Sequence, residues 1–288
     1  MSGRGGGSNV MAVLRIITYN VRGGSGEPLV ERMTGSMAGT RGKSCNMEYT
    51  HVTWNPVTGC NHVSPGCDHC YAERMALRLR DMGVEKYRNG FAVTLHPDVL
   101  EQPTTWRRPR AIFINSMSDL FHETVPIEYV RRILDVVERC PQHVFQVLTK
   151  RSKKLVRAID QLSWPCNLWV GVTVESAVYK HRIDDLRKVP SAVRWLSIEP
   201  LLGPLGELDL AGIGLAVVGG ESGPGARPMR EEWVQDILKQ CRTQGTSFYF
   251  KQWGGVDKRA TGRRLRGKLY EEWPQSESEP GQLTLEGL

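Results

Sequence analysis

From residue 48 onward, short apolar runs alternate with stretches in which apolar residues return every three or four positions. The first pattern predicts strands, the second helices with one buried face. Strands are predicted near 52–57, 91–95, 111–115, 144–148, 168–174, 193–198, 215–219 and 247–251, and helices over 71–82, 127–139, 152–161, 178–188 and 230–243. Pro126 and Pro190 punctuate two of these helices, and Gly245 suits the C-cap of the last. Alternation repeated this often calls for a parallel sheet with right-handed crossovers, and about eight strands close a barrel. The predicted fold class is therefore α/β: a (β/α)8 or partial TIM-type barrel, with a doubly wound open sheet as the alternative. Stretches 96–110 and 201–212, where a second and a sixth helix would fall, carry several prolines or glycines.

The periodic region sets the expected organisation. Residues 1–46 read as a flexible leader, Gly/Arg-rich at its start and with a single strand predicted over 13–21; residues 47–273 form the barrel. Residues 274–288, rich in Ser, Glu, Pro and Gly, read as a solvated, disordered tail. With 40% hydrophobic and 24% charged residues, the 288-residue chain has the composition of an ordinary globular protein. No apolar run approaches the length of a membrane-spanning helix, and the N-terminus has no signal-peptide apolar core. A cytoplasmic protein without membrane contact is expected. Seven cysteines, an odd count, then point to thiol or metal chemistry rather than a disulfide framework.

Three of those cysteines are concentrated in one loop. Cys60, Cys67 and Cys70 form C-x6-C-x2-C directly after the first core strand and run into a helix. Soft thiolate ligands select zinc or iron–sulfur centres. Gly59, Gly66 and Pro65 let the loop fold back, and a helix N-terminus favours ionised thiols. Three readings stand: buried structural cysteines, a zinc site completed by His62 or His69, or a [4Fe–4S] cluster. Three ligands in place of the usual four would leave one iron open to a substrate or cofactor. Cys140 and Cys241 fall late on amphipathic helices and read as core.

In a parallel barrel the chemistry gathers at the C-terminal strand ends. Those ends carry Asn115, Ser116, Ser118 and Asp119, then Thr149, Lys150 and Arg151, then Glu175, Glu199, Glu221, and last Lys251 and Gln252. Ordinary salt bridges with Lys150, Lys251 or Arg182 would account for each acid alone. Three carboxylates and two lysines around one mouth favour a site, so Glu175, Glu199, Glu221, Lys150 and Lys251 are the candidate catalytic residues. Asn115 and Ser116 are candidate cofactor contacts. The glycine-rich run 222–228 offers amides and Arg227 to a phosphate or carboxylate. A net charge of +7 and a basic run over 258–268, following Trp253, would suit a nucleic acid or nucleotide.

Seven ordered motifs carry a resemblance. They are Trp54-Asn-Pro-Val-Thr-Gly-Cys60, Ser64-Pro-Gly-Cys-Asp-His-Cys-Tyr71, Asn115-Ser-Met-Ser-Asp-Leu-Phe-His122, Phe145-Gln-Val-Leu-Thr-Lys-Arg151, Ser197-Ile-Glu-Pro-Leu-Leu202, Gly219-Gly-Glu-Ser-Gly-Pro-Gly-Ala-Arg-Pro228 and Phe250-Lys-Gln-Trp-Gly-Gly255. Over residues 48–273 the chain resembles the phage gene-product thirty-seven/sixty-eight family, a three-cysteine-motif family of unassigned function. That family is similar to the radical S-adenosylmethionine (SAM) superfamily, whose three-cysteine loop after the first barrel strand holds a [4Fe–4S] cluster.

The likeness implies SAM as a second cofactor and an electron donor as partner. A deoxyadenosyl radical would then abstract hydrogen from a substrate in the barrel, the cofactor supplying the chemistry and the protein its orientation. It also implies a cofactor-binding role for Gly219 and Gly220, by analogy with a Gly-Gly-Glu segment that meets the methionyl amino group. His69 stands where the superfamily favours an aromatic residue beside the adenine. The first cysteine gap is three residues longer than the superfamily's C-x3-C-x2-C. The competing expectation is a zinc- or cluster-stabilised nucleic-acid-binding protein without catalysis.

Overall fold

The computed structural model describes residues 52–274. The leader, the strand predicted over 13–21 and all of the tail beyond Pro274 lie outside the described residues. In chain order the elements are β1 (Val52–Trp54), β2 (Val57–Thr58), α1 (Tyr71–Asp81), β3 (Thr94–Leu95), β4 (Ala111–Ile114), α2 (Ile127–Glu138) and β5 (Val144–Thr149). They continue with α3 (Ser152–Arg157), β6 (Leu168–Thr173), α4 (His181–Arg187), β7 (Val193–Ile198), β8 (Leu215–Gly219), α5 (Glu231–Gln244), β9 (Ser247–Gln252) and α6 (Lys258–Thr261).

Seven strands form one sheet in the order β1-β4-β5-β6-β7-β8-β9, every neighbouring pair parallel. The curled sheet is a half-barrel, the open-sided form of the predicted fold. Among the described residues the order never reverses, so the sheet has no switch point there of the kind a doubly wound sheet needs. The predicted strand at 91–95 is the exception. Only Thr94 and Leu95 are extended, and they pair antiparallel with Thr58 and Val57 in a small separate ladder. Joining a parallel sheet needs a long crossover, and the chain from 96 to 110 supplies only two short 3-10 turns, Pro97–Val99 and Gln102–Thr105, each begun by a proline at its first or second position. The predicted helix between β7 and β8 is likewise not formed.

Alternation along the strands divides the sheet into two faces. Ile112, Phe145, Val170, Leu196, Val218 and Phe250 face the helices and pack with Ile133, Leu155, Ile183 and Ile237 in the main core. Trp169, Trp195, Leu215, Val217 and Tyr249 form a second cluster on the opposite, concave face. Toward the C-terminal strand ends the concave positions turn polar: Thr173 lies level with Ser197, and beyond them come Glu175 and Glu199. Among the described residues no helix is long and apolar enough to cross a membrane.

Candidate active site at the C-terminal rim

The cysteine loop lies across the strand ends. It starts at Gly59, whose φ of +83° and close approach to Ala92, with a Cβ only 2.2 Å from that carbonyl oxygen, leave no room for a side chain. Gly59 N–H donates to Met117 O at 2.9 Å, Cys60 N–H to Phe91 O at 3.1 Å, and Ser118 Oγ donates to Gly59 O at 2.8 Å. Cys60 is thereby pinned beside the end of β4. Cys67 and Cys70 are joined by one turn, Cys70 N–H donating to Cys67 O at 3.1 Å, and Cys70 caps α1. All three thiols are free and half-buried, whereas Cys140 and Cys241 are buried core residues as predicted.

Two of the thiols meet different neighbours. Cys60 Sγ accepts from Arg151 Nη1 at 3.4 Å, while Cys67 Sγ lies 3.9 Å from Ser64 Oγ. Burial pushes the Cys60 thiol up, Asp119 adds to that, and Arg151 opposes both. Among the described residues no group of three or more His, Cys, Asp or Glu side chains stands in position to hold a metal ion. The donor chemistry fits an iron–sulfur cluster: three soft, half-buried thiols carried on one loop. Each histidine proposed to complete a zinc site meets a carboxylate. His62 Nε2 meets Glu73 Oε2 at 2.8 Å, and His69 Nδ1 meets Glu221 Oε2 at 2.9 Å.

Each rim acid has a cationic partner. Glu175 is fully buried, with Oε2 accepting from Arg182 Nη1 at 2.8 Å and Oε1 without a partner among the described residues, and Gly66 of the cysteine loop sits on top of it, its Cβ position 3.2 Å from Glu175 Cγ. Glu221 accepts from His69, from Arg227 N–H at 2.9 Å and from Arg227 Nε at 2.8 Å. Burial pushes its carboxyl up, but these bonds outweigh it and hold the group down at about 2. Glu199 Oε2 accepts from Lys251 Nζ at 2.6 Å and its Oε1 from Gln252 Nε2 at 3.2 Å. The register between β8 and β9 slips after Val218, and the extra residue brings Lys251 and Gln252 together onto one acid. Glu175 and Glu199 thus take two of the partners that the salt-bridge reading named, Arg182 and Lys251, whereas Glu221 pairs with Arg227 and His69.

The remaining predicted residues divide. Asn115, at φ +60°, uses Oδ1 to accept from Val57 N–H at 3.1 Å, and its buried Nδ2 has no partner among the described residues. Ser116 Oγ donates to Asn55 Oδ1 at 3.2 Å, and its carbonyl accepts from Tyr71. Lys150 contributes its backbone N–H to Asp119 Oδ2 at 3.1 Å, with its side chain half-buried nearby. Gly220 N–H donates to Gln252 O at 3.0 Å, tying β8 to β9. Arg227, read as a phosphate contact, is instead spent on the protein: besides Glu221 it donates to Pro65 O at 2.7 Å and to Asp68 Oδ2 at 3.3 Å, locking the glycine-rich run onto the cysteine loop. The Asp119–Arg151 pair, 3.2 Å apart, was visible only as two polar residues at neighbouring strand ends.

Residues 44–274, a stretch that contains the whole half-barrel and its cysteine loop, match the family described as "Protein of unknown function (DUF5131)". The chain belongs to this family. The DUF5131 match and the motif resemblance cover nearly the same residues; the phage association rests on the motifs. A comparison with proteins of curated function finds no match. Among solved structures, the chain is similar to spore photoproduct lyase complexed with dinucleoside spore photoproduct, at 11% identity and a TM-score of 0.33, covering 65% of this chain and 60% of that one. A Cys-to-Ser mutant of the same lyase gives 13% identity and a TM-score of 0.39, with 78% and 73% covered. The DUF5131 chain spans about 60% of the length of the first of these. Such TM-scores decide neither fold nor chemistry, and the half-barrel rests on its own strand order.

Proposed function

We propose that this DUF5131 protein is an iron–sulfur enzyme of the radical SAM kind, with Cys60, Cys67 and Cys70 as cluster ligands and a nucleic acid or nucleotide as substrate. One observation supports the reading above others. The three-cysteine loop is built onto the C-terminal rim of a parallel half-barrel, in contact with groups from β4, β5, β6 and β8 through Ser118, Arg151, Glu175 and Glu221. Rim placement is where such sheets carry their chemistry. A bound cluster with one iron free of protein ligands would pass one electron to SAM. The chain's own contribution is the frame around it: Glu221 and Arg227 fix the loop, and Glu199 with Lys251 offers a proton acceptor beside a donor on the same rim.

The nucleic-acid part of the reading draws on the net charge of +7 and on exposed Arg264 and Lys268 near Trp253, whose Nε1 donates to Arg264 O at 2.9 Å. Anaerobic reconstitution tests the whole. A brown protein that binds SAM and, with dithionite, releases 5′-deoxyadenosine supports the enzyme; a fully loaded cluster that does neither removes the SAM chemistry. A colourless protein holding zinc favours a structural nucleic-acid-binding module instead.

A further inference from the structure

The Cys60 sulfur is met by a cation that the fold holds rigidly from behind. Arg151 is 7% exposed, and three groups fix its guanidinium. Nη1 donates to Asp119 Oδ2 at 3.2 Å; Nη2 donates to Asn61 O at 3.3 Å and to Asn61 Oδ1. Asp119 is itself immobilised, accepting from Phe121 N–H at 2.9 Å, Thr149 Oγ1 at 2.7 Å and Lys150 N–H at 3.1 Å. His122 Nε2 donates to the same Asn61 Oδ1 at 2.8 Å. What is left of the guanidinium edge points at Cys60 Sγ, 3.4 Å from Nη1.

So much anchoring exceeds what an ordinary surface ion pair shows. A guanidinium stays charged at every accessible pH and offers several N–H donors in one plane. Hydrogen bonds to cluster sulfurs, together with local net charge, are what set the potential of an iron–sulfur centre. Resting on the cluster reading above, we propose that Arg151 is a positioning residue for that cluster. It steadies Cys60 as a ligand and, through its charge and its N–H, makes the cluster easier to reduce. Asp119 and Asn61 act through it.

The readout is the reduction equilibrium of the cluster, not turnover. Wild-type, Arg151→Gln and Arg151→Lys proteins are reconstituted anaerobically, their iron and sulfide measured, and the reduced fraction followed by electron paramagnetic resonance at fixed applied potentials. Loss of the cation and its hydrogen bond in Arg151→Gln should lower the ratio of reduced to oxidised cluster on the order of tenfold. Arg151→Lys keeps a charge beside Asp119 but gives up the fork, so the same fall should be smaller. If Arg151→Gln does not fold, Arg151→Lys alone carries the comparison. A wild-type cluster whose ratio is unchanged in the variants overturns the inference and leaves the cluster reading standing. Wild-type protein that takes up no iron overturns both.

Discussion

Glu199 reaches Lys251 across the intervening strand because the residue between them is Gly219. Lys251 Nζ stands 2.6 Å from Glu199 Oε2, and a Cβ built on Gly219 would lie 3.2 Å from Glu199 Cδ. Gly219→Ala should therefore push the carboxylate off Lys251 and cost about 1 to 2 kcal/mol of stability. At Gly220 the same substitution meets the Trp253 carbonyl oxygen at 1.9 Å, backbone that cannot step aside. Gly220→Ala should cost about 3 kcal/mol or more. Denaturant midpoints of the two variants should fall in that order, and the reverse order would contradict the packing described.

Iron content separates the loop cysteines from the buried ones. Replacing Cys60, Cys67 or Cys70 by Ala should abolish iron and sulfide uptake on reconstitution, since each thiol would supply one of only three ligands. Cys140→Ala and Cys241→Ala leave the loop untouched and should retain iron, while losing stability from the core they help fill. A triple loop variant with full iron would move the metal site elsewhere.

Acid should loosen the rim through Glu221. A carboxyl whose folded value lies below its ordinary 4.5 adds stability that is complete above that value and is lost as pH falls through about 2. Wild-type unfolding free energy should thus decline between pH 4.5 and 2 in part because Glu221 gains a proton. Glu221→Gln should be about 2 to 3 kcal/mol less stable at pH 7, with a shallower decline across the acid window. Parallel acid profiles for the two proteins would show that Arg227 and His69 do not favour the ionised form.

The arginines after Trp253 are not equivalent. Arg263 donates to Glu271 and, at 2.8 Å, to Tyr249 Oη, so Arg263→Ala should lower the unfolding midpoint more than it lowers oligonucleotide affinity. Arg264 gives one N–H to Gly267 O at 2.8 Å and is otherwise exposed. Arg264→Ala should weaken binding at low salt and flatten its dependence on salt, each lost phosphate contact changing the logarithmic slope by about 0.9 for duplex DNA. Fluorescence anisotropy with a labelled oligonucleotide at several salt concentrations reads both effects. Binding that ignores Arg264 would assign this charge to solubility.

Sequence periodicity located all seven strands of the main sheet and the five longer helices, because each strand is an apolar run between turn residues and each helix buries one face. It failed at 91–95, where an apolar run belongs to a two-residue ladder at the rim; local pattern does not reveal which partner a strand takes. The cysteine loop was legible because its ligands are close in sequence. The groups that hold it were not: Arg227 reaches back to Pro65, Arg151 to Cys60 and His69 across to Glu221 only after the register of the sheet has brought distant strand ends together. Pattern also could not separate cations that face solvent from those, like Arg227, consumed in holding the chain together.

The indole of Trp195 lies so close over β6 that a Cβ at Gly171 would meet it at 2.4 Å, and Phe113 packs edge-on against the same ring at 6.2 Å. Trp169 stands one step lower in the register, its ring against Trp273 at 5.9 Å. Together they form a packed aromatic layer on the concave face, one step below Thr173 and Ser197. Any side chain larger than hydrogen at residue 171 would displace the Trp195 ring and, through it, Phe113, so this layer tolerates no added volume without shifting two strands at once.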